Sequence, residues 1–295
     1  MKFKIIAFLL CVVVLESWGQ LAKIRPTLQN ISTNHDGILG IAVKDLTSGD
    51  TLSIHGKGHF PMQSVYKFHL VLAVLHQVDK GRLRLDQKIL LKKSDLLPNT
   101  WSPIRDKYPE GNVELPLREI LKYTVAQSDN NGCDVLFRLL GGPKVVHRYI
   151  KSIGIKDVSI VATEEEMHAD EKVQFTNWTT PQASVALLEK FYQKKLLLPA
   201  THDFLWTTMV ETNTGAKKLK GLLPEGTIVA HKTGFSGADA VGVTAATNDI
   251  GIVQLPNGKH YAIAVFYSNT RLSYEQSDEV IAQVSKVVWE GLLND

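Results

Sequence analysis

The segment Pro61–Lys67 (P-M-Q-S-V-Y-K) lies where the hydrophobic spacing of the chain changes from strand-like to helix-like. Its last four residues form the one S-x-x-K pattern in the sequence. The triplets Ser128–Asn130 (S-D-N) and Lys232–Gly234 (K-T-G) follow in chain order. An isolated S-x-x-K carries little weight, because chance gives roughly one in a chain of this length. Three motifs in this order are a far stronger indication of a shared site.

The composition is that of a globular protein. The chain has 295 residues, of which 44% are hydrophobic and 21% charged, and this is enough for one large domain or two interleaved domains. Its formal net charge of +3 is slight for this length, whereas nucleic-acid binding needs a concentrated basic face. We therefore expect no nucleic-acid partner.

The first residues have the layout of a secretory signal peptide. Lys2 and Lys4 precede the apolar run 5–15, and Gly19 offers a cleavage point. The run is shorter than the roughly 20 apolar residues that a membrane-spanning helix needs. We therefore predict that residues 1–19 are removed and that the exported chain has no membrane anchor.

Strand-like segments occur towards both ends of the exported chain. Ile38–Leu46 and Thr51–Ile54 predict a hairpin that opens it, and later strands are predicted at Thr227–Ala230, Val241–Thr247 and Tyr261–Ser268. Helical spacing predicts a helix that starts at Val65 and ends at Gly81, and further helices at Leu117–Ala126, Asn131–Leu140, Pro143–Ser152, Thr180–Gln193, His202–Met209 and Glu275–Leu292.

This order of elements predicts one sheet built from both ends of the chain, with a helical region inserted between them. We expect residues 20–60 and 210–295 to form an α/β sheet domain. Residues 61–209 would form an all-helical domain that carries the first two motifs. The third motif belongs to the sheet, so we expect the active site between the two domains.

Ser64 and Lys67 have the chemistry of a nucleophile and its base. Ser64 starts a helix, where free N–H groups favour developing negative charge, and Lys67 lies one turn further on the same face. A serine hydroxyl becomes a strong nucleophile only when a nearby base removes its proton. Lysine can be that base if burial or another cation lowers its pKa. A helix-capping serine beside a solvated lysine is the structural alternative.

The other two motifs also have structural alternatives. Ser128–Asn130 could cap the helix predicted to begin near Asn131, and Lys232 could be an edge-strand lysine that deters aggregation. As functional groups, the Lys232 cation and the Thr233 hydroxyl could anchor a substrate carboxylate. Each alternative is credible for one motif alone and poor for all three together.

The whole exported chain resembles a class A serine β-lactamase, and more closely the PER-like branch of that class. Besides the segment Pro61–Lys67, the resemblance rests on Glu166–Asp170 (E-M-H-A-D), Asn177–Thr179 (N-W-T) and Ala230–Gly234 (A-H-K-T-G). It implies an α/β fold of the serine β-lactamase and penicillin-binding-protein type, with an antiparallel sheet domain and an all-helical domain. It also implies export to the bacterial periplasm.

The resemblance implies a role for each motif residue. Ser64 would be the acylated nucleophile, Lys67 its proton partner, and Ser128 a relay that protonates the departing lactam nitrogen. The N–H groups of Ser64 and Phe235 would form the oxyanion hole. The residues that it implies for substrate binding are Asn130, which would hold the amide side chain, Lys232 and Thr233, which would hold the carboxylate, and Gly234 and Phe235 beside them.

The base for deacylation is harder to place from sequence. The spacing of the family points to Glu164, whose carboxylate would activate a water, while the adjacent Glu165 and Glu166 are the alternatives. This choice puts His168 where the family usually has Asn, so His168 is a further candidate for the site.

Two departures from the family pattern concern the loop and the carboxylate site. Ala162 and Asn177 replace an Arg–Asp pair that pins the loop in many class A enzymes, so His168 and Trp178 are candidates to hold it instead. No arginine occurs near Val241 for the substrate carboxylate, so Lys218 is a candidate to replace it.

We therefore expect a monomeric enzyme that opens β-lactam rings through a Ser64 acyl-enzyme and needs no metal or cofactor. A DD-peptidase of cell-wall synthesis and a β-lactam sensor domain are the alternatives, because both share the three motifs. The Glu164 segment favours hydrolysis, since a DD-peptidase lacks a deacylating glutamate.

Overall fold

A five-stranded antiparallel sheet with the order β2-β1-β10-β9-β8 joins the two ends of the chain. The structure is a computed structural model that describes residues 19–293. The strands in this part of the chain are β1 (Ile38–Asp45), β2 (Thr51–Ile54), β3 (Phe60–Pro61), β4 (Lys88–Leu91), β5 (Val113–Pro116), β6 (Val158–Ser159), β7 (Trp178–Thr179), β8 (Val229–Phe235), β9 (Thr247–Gln254) and β10 (His260–Ser268).

The helices lie on both faces of this sheet and fill the middle of the sequence. Within residues 19–293 they are α1 (Gln20–Thr33), α2 (Tyr66–Asp79), α3 (Pro103–Lys107), α4 (Leu117–Ala126), α5 (Asn130–Leu140), α6 (Pro143–Ser152), α7 (Glu164–Ala169), α8 (Pro181–Tyr192), α9 (Pro199–Val210) and α10 (Tyr274–Leu293), with 3₁₀ turns at Gln63–Val65, Lys93–Asp95 and Glu171–Thr176.

Both faces of the sheet are buried, because apolar residues occupy successive positions of its central strand β10. Ile263 and Val265 point to one face and pack with α1 and α10, whereas Ala264 and Phe266 point to the other and pack with the helical region. Burying one such large side chain contributes about 1.5–3 kcal/mol. The predicted α/β fold, with one sheet drawn from both ends of the chain, is therefore confirmed.

Helix α2 is the centre of the helical region. All residues from Tyr66 to Leu75 are buried, so the helix has no solvent-facing side over this length. A helix that is buried all round is fixed by its neighbours rather than by its own propensity. The motif residues at its start are thereby held against the core.

Two sequence-based predictions about strands and helices were wrong. The part of the chain after Gly19 opens with helix α1, not with the hairpin, and only Leu21 and Leu28 are buried along that helix. With so few apolar positions and with Pro26 inside it, the segment has no clear helical spacing; packing against α10 determines its structure.

The predicted strand Val241–Thr247 was wrong as well, because β9 starts where that segment ends. The side chain of Asp239 accepts hydrogen bonds from the N–H groups of Val241 (3.0 Å) and Val243 (2.8 Å), and Gly242 has a φ of +79°. These local bonds form a turn in spite of the β-branched residues, since strand propensity yields to context.

The predicted signal peptide falls almost entirely on residues 1–18, which lie outside the described residues. Across residues 19–293, none of the helices combines the length with the apolar character that a membrane crossing requires.

Candidate active site

A cleft of about 1170 Å³ lies along β8 and is lined by residues of all three motifs. Of the residues predicted from sequence, it is lined by Ser64, Ser128, Asn130, Glu164, His168, Lys218, Thr233, Gly234 and Phe235. Lys67 and Lys232 are fully buried beneath the surface of the cleft. Lys67 contacts Ser64, and Lys232 contacts Ser128. The structure thus brings every predicted site residue to one place.

Strand β8 presses directly on the turn that carries Ser64. A Cβ atom built on Gly234 would lie 2.5 Å from the carbonyl oxygen of Met62 and 3.3 Å from the backbone nitrogen of Ser64. On the neighbouring strand, the Asn248 amide donates to the carbonyl oxygens of Pro61 (2.9 Å) and Met62 (3.1 Å). A glycine at 234 is therefore required for this approach, and Asn248 holds the turn in place.

The backbone before Ser64 is strained. Gln63 has a φ of +47°, in the left-handed region that is unfavourable for residues other than glycine. Its side chain donates a 2.6 Å hydrogen bond to the Gln174 side chain on the opposite wall. Such strain persists only where the surroundings impose it, and here β8 and Asn248 do so.

Lys67 is the central group of the site. Its ammonium donates to the Ser64 hydroxyl (2.9 Å), to the Ser128 carbonyl oxygen (2.8 Å) and to the Asn130 side-chain oxygen (2.5 Å). It also forms an ion pair with the Glu164 carboxylate at 3.1 Å. Because Lys67 touches both Ser64 and Glu164, the proton of the hydroxyl can pass to Lys67 when the amine is neutral, or through Lys67 to the Glu164 carboxylate.

The S-D-N triplet has both a structural and a site-facing part. Asp129 caps α5 by accepting from the N–H of Gly132 (2.7 Å), and it also accepts from the N–H of Ile104 (2.7 Å). Ser128 has a φ of +59°, which turns its hydroxyl towards Lys232. The helix-capping alternative is therefore real for Asp129, while the residues on either side face the cleft.

Lys232 lies beneath the cleft with its ammonium 2.9 Å from the Ser128 hydroxyl. Burial, together with repulsion from Lys67, lowers the pKa of Lys232 to about 7. Next to it, the hydroxyl of Thr233 lies 2.7 Å from that of Thr214. A cation and a hydroxyl thus lie side by side at the edge of β8.

The three adjacent glutamates differ in their surroundings. Glu166 accepts from the N–H of Thr163 (2.8 Å) in a capping box at the start of α7, and Glu165 is exposed. Glu164 alone of the three lines the cleft and contacts Lys67.

A buried carboxylate fixes the start of α7. Asp134 accepts from the N–H groups of Glu164 (2.8 Å) and Glu165 (2.9 Å). Burial, together with the charge of Glu164, raises the pKa of Asp134 to about 7. Asp134 is therefore a positioning residue for the Glu164 backbone.

Asn177 closes the loop that carries Glu164. Its side-chain oxygen accepts from the N–H groups of Val161 (2.8 Å) and Ala162 (3.0 Å), and its NH₂ donates to the Ala162 carbonyl (2.9 Å). Trp178 also joins the two ends of this loop to their surroundings, because its backbone pairs with Ser159 and its ring stacks on His59 at a centroid distance of 3.6 Å. A buried amide can replace an ion pair here because it matches backbone donors and acceptors at once.

Arg271 and Lys218 differ in their relation to the cleft. Arg271, distant from Val241 in sequence, donates to the Val241 carbonyl at 2.8 Å, but it is not among the residues that line the cleft. Lys218 lines the cleft, yet its ammonium is bound to Thr247 and to Asp278, the latter at 2.6 Å.

Comparison with known proteins agrees with this geometry. A model described as the beta-lactamase enzyme family matches residues 23–292. The extended-spectrum β-lactamase PER-1 of Pseudomonas aeruginosa is 43% identical over 275 residues, which cover 93% of this chain and 89% of that protein. The crystal structure of the TLA-1 extended-spectrum β-lactamase has a TM-score of 0.91 at 52% identity and covers 93% of this chain and 100% of its own.

A crystal structure of a representative class A β-lactamase from Bacteroides cellulosilyticus has a TM-score of 0.90 at 41% identity, covering 94% of this chain and 100% of that one. The chain belongs to the class A β-lactamase family. The resemblance to the PER-like branch is confirmed by the PER-1 match.

Several residues that shape this class A site were missed from sequence. Asp134 follows Asn130 by four residues on α5, so helical spacing could have placed both on one face. Asn248, Thr214 and Asp278 had no such signal, because each acts through a contact across the sheet or with a loop. Within residues 19–293, no three His, Cys, Asp or Glu side chains come together as a metal site.

We predict that Asp134 makes stability fall as the pH rises from about 4 to 7. Its folded pKa is about 7 and its ordinary value 3.8, so between these the folded protein holds a proton that the unfolded chain has released. Stability from this group is present at low pH and lost on approaching 7. In Asp134→Asn, the free energy of unfolding should fall less steeply with pH than in the parent, and the two slopes should differ by about 1 kcal/mol per pH unit.

Urea unfolding at several pH values between 4 and 7 measures this slope. Glu225→Gln, which removes an exposed carboxylate, is the matched control and should retain the slope of the parent. An Asp134→Asn slope equal to that of the parent would contradict the role given to burial.

Proposed function

We propose that the protein hydrolyses penicillins and cephalosporins, including those with bulky oxyimino side chains, through a covalent Ser64 acyl-enzyme. The observation that carries this proposal is the buried Lys67 ammonium, which joins the Ser64 hydroxyl to the Glu164 carboxylate within about one hydrogen-bond length each. This arrangement supplies a nucleophile, a proton carrier and a second base without any cofactor.

Acylation forms the bond between Ser64 Oγ and the lactam carbonyl carbon. The Ser64 proton leaves through Lys67 or Glu164, and the developing oxyanion accepts hydrogen bonds from the N–H groups of Ser64 and Phe235. As the carbon–nitrogen bond breaks, the lactam nitrogen takes a proton from Ser128, and the proton that Ser64 released returns to the Ser128 oxygen through Lys67. The Lys232 ammonium beside that hydroxyl stabilises the oxygen while it transfers its proton.

Deacylation uses a water activated by Glu164. The carboxylate lines the cleft, and its backbone is held by Asp134, so its position relative to Ser64 is fixed before substrate arrives. The water attacks the ester carbon, Glu164 accepts its proton, and the Ser64 oxygen recovers a proton through Lys67. The penicilloate or cephalosporoate product then leaves.

Substrate binding follows from the groups around this centre. We assign the carboxylate of the antibiotic to Lys232 and Thr233, and its amide side chain to Asn130, with Gly234 and Phe235 beside them on β8. His168, on the cleft-facing helix α7, is assigned to contacts with the side chain of the substrate. Lys218 is not assigned a direct bond to the carboxylate, because its ammonium is already paired with Asp278.

We further propose that the cleft separates two domains, residues 20–60 with 210–295 and residues 61–209, in a monomer exported to the bacterial periplasm. The alternatives are a DD-peptidase, which lacks a deacylating glutamate, and a β-lactam sensor, which keeps the acyl group on serine. The contact between Glu164 and Lys67 favours hydrolysis over both.

We predict that Glu164→Gln acylates with benzylpenicillin but releases product at least 100-fold more slowly, because general-base catalysis contributes about 10²–10⁴-fold. Intact-mass spectrometry should then detect the acyl-enzyme. Ser64→Ala should form no adduct, and Glu166→Gln is the matched control that should turn over normally. Normal turnover in Glu164→Gln, together with loss of turnover in Glu166→Gln, would show that the base is Glu166 and not Glu164.

We predict efficient hydrolysis of cefotaxime and ceftazidime as well as benzylpenicillin. Asn177 holds the loop through backbone contacts without an Arg–Asp pair, and the cleft of about 1170 Å³ has room for oxyimino groups. Steady-state kcat/KM values for the three substrates test this. Robust benzylpenicillin hydrolysis with negligible cefotaxime turnover would contradict the proposed range.

We predict that kcat/KM falls as the pH rises above about 7, because the free enzyme then loses the Lys232 charge that binds the substrate carboxylate. Lys232→Arg keeps its charge at all these pH values. Whatever the absolute kcat/KM of this variant, the fall of kcat/KM with rising pH should therefore shift to a higher pH or disappear. Lys217→Arg, at an exposed lysine, is the control. If kcat/KM fell at the same pH in Lys232→Arg as in the parent, the fall would be due to the titration of another group.

A further inference from the structure

Two aromatic rings form an exposed wall at the β8 end of the cleft. Phe235 and Tyr274 are 42% and 43% exposed, and both line the cleft. Their ring centroids lie 5.0 Å apart with an interplanar angle of 66°, an edge-to-face arrangement that fixes both rings. We call these two residues the aromatic wall. Large apolar side chains that remain this exposed inside a cleft indicate a binding surface.

The aromatic wall is held from behind by a buried ion pair. The Lys218 ammonium lies 5.8 Å from the Phe235 ring and 5.4 Å from the Tyr274 ring, and it pairs with Asp278 at 2.6 Å. Burial, together with the nearby Asp278 carboxylate, raises the pKa of the Tyr274 hydroxyl. Since the ion pair carries no net charge, the rings present a rigid and largely apolar face to the cleft. A preformed surface of this kind loses little entropy when a flat group stacks on it.

The position of the wall follows from the alternation along β8. Thr233 and Phe235 are two residues apart, so they share one face and lie about 7 Å apart. Both lie against the 214–218 segment: Thr233 contacts Thr214, and Phe235 lies over Lys218. When one group of a ligand binds at Thr233, a substituent on the adjacent atom of that ligand therefore lies beside the aromatic wall.

The chemistry of the substrate decides which group this is. In a cephalosporin the C4 carboxylate, assigned above to Lys232 and Thr233, is adjacent to C3. Penicillins carry no substituent at the corresponding place that could reach a further ring. We propose that the aromatic wall is a subsite for a planar heteroaromatic substituent at C3 of a cephalosporin; this rests on the proposed function.

The test compares two cephalosporins with the same aminothiazole oxyimino side chain at C7. Ceftriaxone carries a triazine ring at C3, whereas ceftizoxime carries hydrogen there. The measured quantity is the ratio of kcat/KM for ceftriaxone to that for ceftizoxime. In Tyr274→Ala this ratio should fall about three- to tenfold, because one aromatic contact is lost.

Two variants at the same position separate the ring from the fold. Tyr274→Phe keeps the ring without the hydroxyl and should retain the ratio of the parent. Tyr274→Leu keeps an apolar side chain without the ring, and its ratio should be lowered as in Tyr274→Ala. Phe175→Ala is the matched control, because Phe175 is another exposed aromatic residue that lines the cleft, on the 171–176 turn, and the ratio should not change.

An unchanged ratio in Tyr274→Ala and Tyr274→Leu, with both substrates hydrolysed, would overturn the subsite and leave the proposed function standing. An equal fall in Phe175→Ala would also overturn it, because the effect would then not belong to the aromatic wall. If the parent enzyme hydrolysed neither cephalosporin nor benzylpenicillin, the proposed function would fail and the subsite with it.

Discussion

The burial of the Lys67 ammonium is the constraint on which the rest of the site depends. An unpaired charge at this depth would cost on the order of several kcal/mol, so the fold must bring oxygens to it. The structure supplies the Ser64 hydroxyl, the Ser128 carbonyl, the Asn130 amide oxygen and the Glu164 carboxylate. The same contacts that satisfy the charge also place the proposed nucleophile, the second motif and the proposed second base around one atom.

The sheet and the helical region act on this centre from opposite sides. From the sheet, Gly234 lets β8 approach the Ser64 turn, and Asn248 binds two carbonyls of that turn. From the helical region, Asp134 holds the Glu164 backbone, while Asn177 closes the loop behind it. The strained backbone at Gln63 is the local cost of this clamp, and packing on both sides offsets it.

The electrostatics of the site are coupled through short distances between buried groups. Lys67 lowers the pKa of Lys232, and Glu164 raises that of Asp134, each adding to the effect of burial. At the far end of the cleft, the Lys218–Asp278 pair has no net charge and lies behind two aromatic rings. One end of the cleft is therefore suited to proton transfer and to an anionic group, and the other to an apolar one.

The sequence by itself determined the fold class, the longer helices of the middle region and the motif residues. It did not predict the short helices α3 and α7, and it described this region as all-helical although the strands β4 to β7 lie in it. Strong apolar periodicity placed Leu117–Ala126 and Pro143–Ser152 at their observed bounds, because a buried face imposes its period on the chain. It missed helix α1, which has few apolar positions, and it misplaced β9, where the Asp239 turn overrides propensity. Only the tertiary structure decided which side chain closes the Glu164 loop, that Arg271 reaches Val241, and that Asp278 neutralises Lys218. Those contacts join residues far apart in the chain, and a one-dimensional pattern contains no distance between such residues.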